Sequence, residues 1–221
     1  MDVDTGDEAF SRWLQAMHDS LASPERVTAW QDRRYRFAHQ VGQLLTDPAR
    51  PVAAPITGHV VYGVWVSGAG LLYVGQTGDA RRRLRDLPVG ESHHVATTVP
   101  PETWERIVVV QWPALLSAGP EPERLAAEEL GQETCGLAME HMLQITCRPV
   151  MNARRRSGAG EWTVRNIDHS RSRGATSAHR FPDLFQAVSA EWAQLAHMSA
   201  QDGHAAVYTG AGRVIFPALL L

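Results

Sequence analysis

Five residues of this 221-residue chain carry side chains that together suit the hydrolysis of a phosphodiester: Tyr62, Tyr73, Arg83, Glu140 and Asn152. That reaction needs a water relieved of its proton, positive charge facing the phosphoryl oxygens, and help for the departing alkoxide. Glu140 is the one acid within a long apolar helical stretch. It suits a single Mg²⁺ or Mn²⁺ ion, hard cations that keep most of their waters and often take one or two protein carboxylates. Arg83 brings a permanent, planar charge of the kind that meets phosphate oxygens in pairs. The phenol of Tyr62 or of Tyr73, near Arg83, would fall from its usual pKa of about 10 toward that of a usable base. Either tyrosine fits that role. Asn152 suits orienting its neighbours or the phosphate better than moving protons.

These groups need a scaffold that brings them together. Residues 59–77 hold two runs rich in β-branched and aromatic residues around a Ser-Gly-Ala-Gly turn, which predicts a β-hairpin. Tyr62 and Tyr73 lie eleven positions apart across it, close enough to stand side by side on adjacent strands. "GDARRRLRDL" reads as a short helix with Asp79 near its start, so Arg83, one turn in, points back at the hairpin. "RIVVVQW" is a third strand, and "EPERLAAEEL" and "ETCGLAMEHMLQITC" are helices. Pro149 ends the second of these, and Asn152 follows Glu140 by twelve positions.

Flanking segments complete the expected architecture. Helical spacing over 6–22 and a second helix from Ser23-Pro24-Glu25 to about Leu45 form an N-terminal helical hairpin, and the proline-rich "TDPARPVAAP" reads as a linker. After the core come a basic loop with "RRRSGAG", an amphipathic helix over 181–200 and a closing hairpin, "AAVYTGAGRVIF". The expected fold is α+β: a small three-stranded antiparallel sheet flanked by helices, with an N-terminal helical hairpin and a C-terminal helix plus β-hairpin. The divisions fall at 1–55, 56–156 and 157–221.

Charge is unevenly distributed. All 21 basic residues are arginine, which excludes a P-loop and its phosphate-binding lysine. Residues 148–180 carry eight arginines against Glu161 and Asp168, whereas 121–147 carry six glutamates against Arg124. That asymmetry points to a surface facing a polyanion. Cys135 and Cys147 stand twelve apart on one helical stretch, which argues against a disulfide and against zinc. The acidic start and the lack of a long apolar run predict a cytoplasmic chain without a membrane segment.

Val60-Val61-Tyr62, ten intervening residues, Tyr73-Val74-Gly75, the stretch "YVGQTGDARRRL" ending beside Arg83, and the trio Glu140, Pro149 and Asn152 follow one another in order. At these residues, within about 59–153, the sequence resembles the GIY-YIG nuclease family. The first triad lacks the family's glycine. Leu87 stands where many members carry a histidine or tyrosine four positions after the catalytic arginine, which turns attention to His93 or His94 for proton transfer.

The resemblance implies catalytic roles for Tyr62, Tyr73, Arg83, Glu140 and Asn152, with one Mg²⁺ or Mn²⁺ ion at Glu140. Arg81, Arg82, Arg85, Arg154, Arg155 and Arg156 become a phosphate-tracking rim, continued by Arg171 and Arg173. The implied partner is DNA, with RNA as the alternative. The implied function is a restriction-like, sequence-specific endonuclease, with repair, mobile-element or toxin nucleases and a non-cutting nucleic-acid-binding module as alternatives. Cutting both strands at a palindrome calls for a homodimer, with the N-terminal hairpin and the helix over 181–200 as candidates for dimerisation and base readout.

Overall fold

A computed structural model describes residues 4–47, 54–90, 94–156, 159, 161–200 and 203–221. Two helices lead, α1 (Asp4–Ser20) and α2 (Pro24–Thr46). Ser23 caps α2 by accepting the backbone N–H of Arg26 at 3.3 Å, with Pro24 in the first turn where its missing N–H costs nothing. Then β1 (Val60–Val66) and β2 (Gly70–Thr77) form the expected hairpin, followed by α3 (Ala80–Asp86), α4 (His94–Thr98) and β3 (Trp104–Val110). The helices α5 (Trp112–Ser117), α6 (Glu121–Leu130) and α7 (Gln132–Cys147) lead to a short 3-10 turn at Val150–Ala153.

The sheet departs from expectation. It has five antiparallel strands in the order β2-β1-β3-β7-β6, not three, because β6 (Ala206–Tyr208) and β7 (Gly212–Ile215) dock on β3. Ile107 pairs with Ile215 and Val110 with Gly212, so the closing hairpin extends the central sheet. All of β7 is buried, as an interior strand requires. The segment read as a basic loop also differs, since β4 (Arg154–Arg156) pairs with β5 (Trp162–Val164) in a separate two-stranded ribbon.

Helices cover both faces of the sheet. Val61, Val74, Val108 and Val110 meet α7 and α9 (Pro182–His197) on one side; Val60, Val64, Ile107 and Val109 meet α2 and α3 on the other. Glu123, 4% exposed, accepts the backbone N–H groups of Asp183 and Leu184 at 2.8 Å each and so fixes the start of α9 from a distant part of the chain. With Leu184, Val188, Trp192 and Leu195 buried, α9 packs its apolar face on the core.

The end of α2 and the segment after it are tied down by Arg213 of β7, 1% exposed, which donates to the carbonyls of Leu44 (2.8 Å), Asp47 (2.8 Å) and Ala54 (2.9 Å). Among the described residues no helix is long and apolar enough to cross a membrane. Both cysteines are free thiols, Cys135 buried and Cys147 half-buried.

Candidate active site

The two tyrosines come together, diagonally rather than directly opposite. Tyr62 pairs with Gly75 and Tyr73 with Val64, so both rings lie on the same face of the hairpin, centroids 6.1 Å apart. Gly75 makes this possible. A Cβ there would sit 2.7 Å from Tyr73 Cε1 and 2.8 Å from the Tyr62 hydroxyl, closer than carbon atoms approach. The two phenols share a hydrogen bond. Tyr62 is 1% exposed, whereas Tyr73 is half-buried and reaches the edge of the site.

Arg83 arrives from α3. Asp79 caps that helix by accepting the N–H of Arg82 at 3.0 Å, while Leu84 and Leu87 sink into the core beneath α2. Buried Leu87 offers no group for proton transfer. The half-buried Arg83 lies close enough for its charge to favour the ionised form of both tyrosines. Burial outweighs it. Desolvation holds both phenols above their ordinary value, Tyr62 well above, contrary to the lowered pKa expected from the residue types alone.

Glu140 comes from α7, which packs along β2. Burial raises its carboxyl to about 7, although the charge of Arg165 and a hydrogen bond from Gln144 pull the other way. Gln144, one turn on, donates from Nε2 to Glu140 Oε1 at 2.9 Å and to the Val74 carbonyl at 3.3 Å. Its own Oε1 accepts from Arg165 Nη1 at 2.9 Å. Helix α7 is held in place from outside by α8 (Arg173–Ser177), where a Cβ on Gly174 would fall 2.3 Å from the Leu137 carbonyl oxygen.

Asn152 is committed to backbone. Its Oδ1 accepts the Val74 N–H at 2.8 Å and its Nδ2 donates to the Val74 carbonyl at 3.0 Å. Val74 lies on the edge strand, so the amide takes the place of a neighbouring strand between Tyr73 and Gly75. Asn152 therefore positions the site, with its amide oxygen and one of its two N–H donors engaged by Val74.

Of the candidate proton carriers, His94 is exposed and stands edge-on to Tyr73, ring centroids 5.8 Å apart; His93 lies outside the described residues. The arginine rim is uneven. Arg81 and Arg171 are exposed, Arg82 pairs weakly with Asp79 at 3.7 Å, and Arg173 pairs with Glu133 at 2.9 Å. Arg85 turns away, binding Asp47 and donating from Nε to Thr46 Oγ1 at 3.1 Å, which ties α3 to α2. Arg154, Arg155 and Arg156 form β4, and their side chains lie outside the described residues.

Two site neighbours escaped the sequence reading. Gln144 was findable, because residues four apart share a helix face with Glu140. Arg165 was not, because its approach depends on the β4–β5 turnback. No family model, curated protein or solved structure matches the chain.

Among the described residues no three His, Cys, Asp or Glu side chains converge as a metal cage. The donors present do fit one hydrated hard cation: a single carboxylate, with Oε1 already oriented by Gln144, and no thiolate.

Proposed function

We propose that the chain is a metal-dependent endonuclease that hydrolyses phosphodiester bonds with a GIY-YIG-type site, acting on DNA in a restriction-like, sequence-specific manner. The observation that carries this reading is the meeting of Tyr62, Tyr73, Arg83 and Glu140 around the stretch of β2 that Asn152 braces. Five residues spread over ninety-one positions, chosen for one chemistry, surround one strand segment.

Glu140 would hold the Mg²⁺ or Mn²⁺ ion, which when bound supplies Lewis-acid charge to the phosphoryl oxygens. Of the two phenols, Tyr73 is the better base. It is the more accessible, and Arg83, the hydrogen bond from Tyr62 and Arg165 all favour its ionised form, whereas only Arg83 does so for Tyr62. Burial keeps Tyr73 protonated at rest, so its own proton first leaves to solvent by way of exposed His94 beside its ring; Tyr73 Oη then takes the proton of the attacking water. The water oxygen bonds to phosphorus as the bond to the leaving oxygen breaks, and the leaving alkoxide takes its proton from solvent. Arg83 meets the charge that develops on the phosphoryl oxygens.

Incubation of the purified protein with mixed plasmid and genomic DNA, with Mg²⁺ or Mn²⁺ and with chelator, tests the proposal. Discrete fragments that need the metal support a sequence-specific nuclease. Metal-independent cleavage, or salt-sensitive binding without cleavage of any DNA or RNA, would point to a different chemistry or to a binding module.

A further inference from the structure

Arg165 follows β5, in the segment beyond the residues that suggested the site. Its backbone N–H donates to the Ala153 carbonyl at 2.8 Å, so the ribbon folds the chain back and sets Arg165 beside Asn152. From there one guanidinium nitrogen, Nη1, donates to Gln144 Oε1 at 2.9 Å. The side chain is half-buried, and its charge acts on Tyr73, Glu140 and His141 together. No ion pair of Arg165 with an acid occurs among the described residues, unlike Arg85, Arg106, Arg148, Arg173 and Arg180.

We infer that Arg165 is a second phosphate-binding residue of the site, anchored at one corner by Gln144 with the rest of its planar fork left to grip a phosphodiester oxygen. A guanidinium carries five donors, and the bond to Gln144 fixes the plane while using one. Through Gln144, which also donates to Glu140, the Arg165 guanidinium is fixed one residue away from the carboxylate at which the proposed reaction takes place. The ribbon then completes the site instead of merely following it. This inference rests on the reading of the site as one that handles a phosphodiester.

The test measures binding of a fluorescent 20-base-pair duplex and a single-stranded RNA of equal length, in chelator, across a series of NaCl concentrations. Wild type is compared with Arg165→Ala, Arg165→Gln and Arg165→Lys, and cleavage of pooled DNA in Mn²⁺ is followed in parallel. Loss of one phosphate contact makes the plot of log affinity against log salt shallower by about 0.9 on duplex DNA. We expect that change for Arg165→Ala and Arg165→Gln, with cleavage lowered by about 100-fold, and a wild-type slope for Arg165→Lys. Arg165→Gln can still donate to Gln144. If it restores both slope and cleavage, Arg165 only buttresses Gln144 and the inference falls. Variants equal to wild type in both assays overturn it alone. Wild type that binds but never cuts, with the slope still reduced in Arg165→Ala, removes the nuclease reading and leaves the phosphate contact standing. Absence of both binding and cutting by wild type overturns both.

Discussion

Tyr62 and Tyr73 sit diagonally across the β1–β2 hairpin with ring centroids 6.1 Å apart, in the space that Gly75 leaves by having no Cβ. Local backbone and candidate chemistry meet at that glycine. Gly75→Ala would push a carbon to within 2.8 Å of both rings and force them apart. We predict a loss of about 1–3 kcal/mol in stability, the usual cost of overpacking, together with loss of cleavage. Gly63→Ala is the control, because its Cβ would strike Trp192 on the opposite face at 2.5 Å. That variant should lose stability comparably and keep more cleavage than Gly75→Ala. Thermal melts and cleavage rates measured below both melting temperatures check the pair.

Asn152 replaces a missing strand neighbour for Val74, using both halves of its amide. Asn152→Ala strands a buried N–H and removes one of two donors to the carbonyl, at a cost of about 1–3 kcal/mol. Hydrogen exchange at the Val74 amide should accelerate in this variant, more than at amides of β3. An unchanged Val74 amide would show that the bracing is not needed.

Glu140 titrates near pH 7 in the folded protein, against about 4.5 for an ordinary glutamate. Between those values the folded state binds the extra proton, so the carboxyl's contribution falls as pH rises from about 4.5 through 7. Glu140→Gln, which cannot ionise, should therefore match wild type below pH 4.5 and exceed it at pH 8, by about 3 kcal/mol. Urea unfolding in chelator at the two pH values measures the difference. A constant difference would mean that the carboxylate is adequately solvated.

Arg81 and Arg85 separate rim from tether. Arg85 joins Asp47 and Thr46, half-exposed, so Arg85→Ala should cost about 0.5–1 kcal/mol of stability and leave the salt dependence of DNA binding unchanged. Exposed Arg81 should do the reverse, its alanine variant losing about 0.9 of the salt slope with stability unmoved. Paired denaturation and anisotropy titrations distinguish them.

What the sequence disclosed followed how local each feature is. The β1–β2 hairpin, α3 and the termination of α7 before Pro149 rest on periodicity and punctuation within a few residues, and these elements formed where expected. The docking of β7 on β3 depends on pairing Ile107 with Ile215 across more than a hundred positions, which no local pattern records. Arg165 reached the site for the same reason. Burial likewise eludes residue types: Tyr62 and Tyr73 looked like activated phenols, yet the helices packed over that face of the sheet desolvate them. Arg85 looked like part of a rim because its partner Asp47 lies thirty-eight positions upstream.

The most direct measurement compares wild type and Glu140→Ala on the same pooled DNA with Mn²⁺, after melts show that both are folded. The account predicts discrete fragments from wild type, none from Glu140→Ala, and none from wild type in chelator. Equal cleavage by the two proteins would contradict it, because the carboxylate assigned to the metal would then play no part in the reaction.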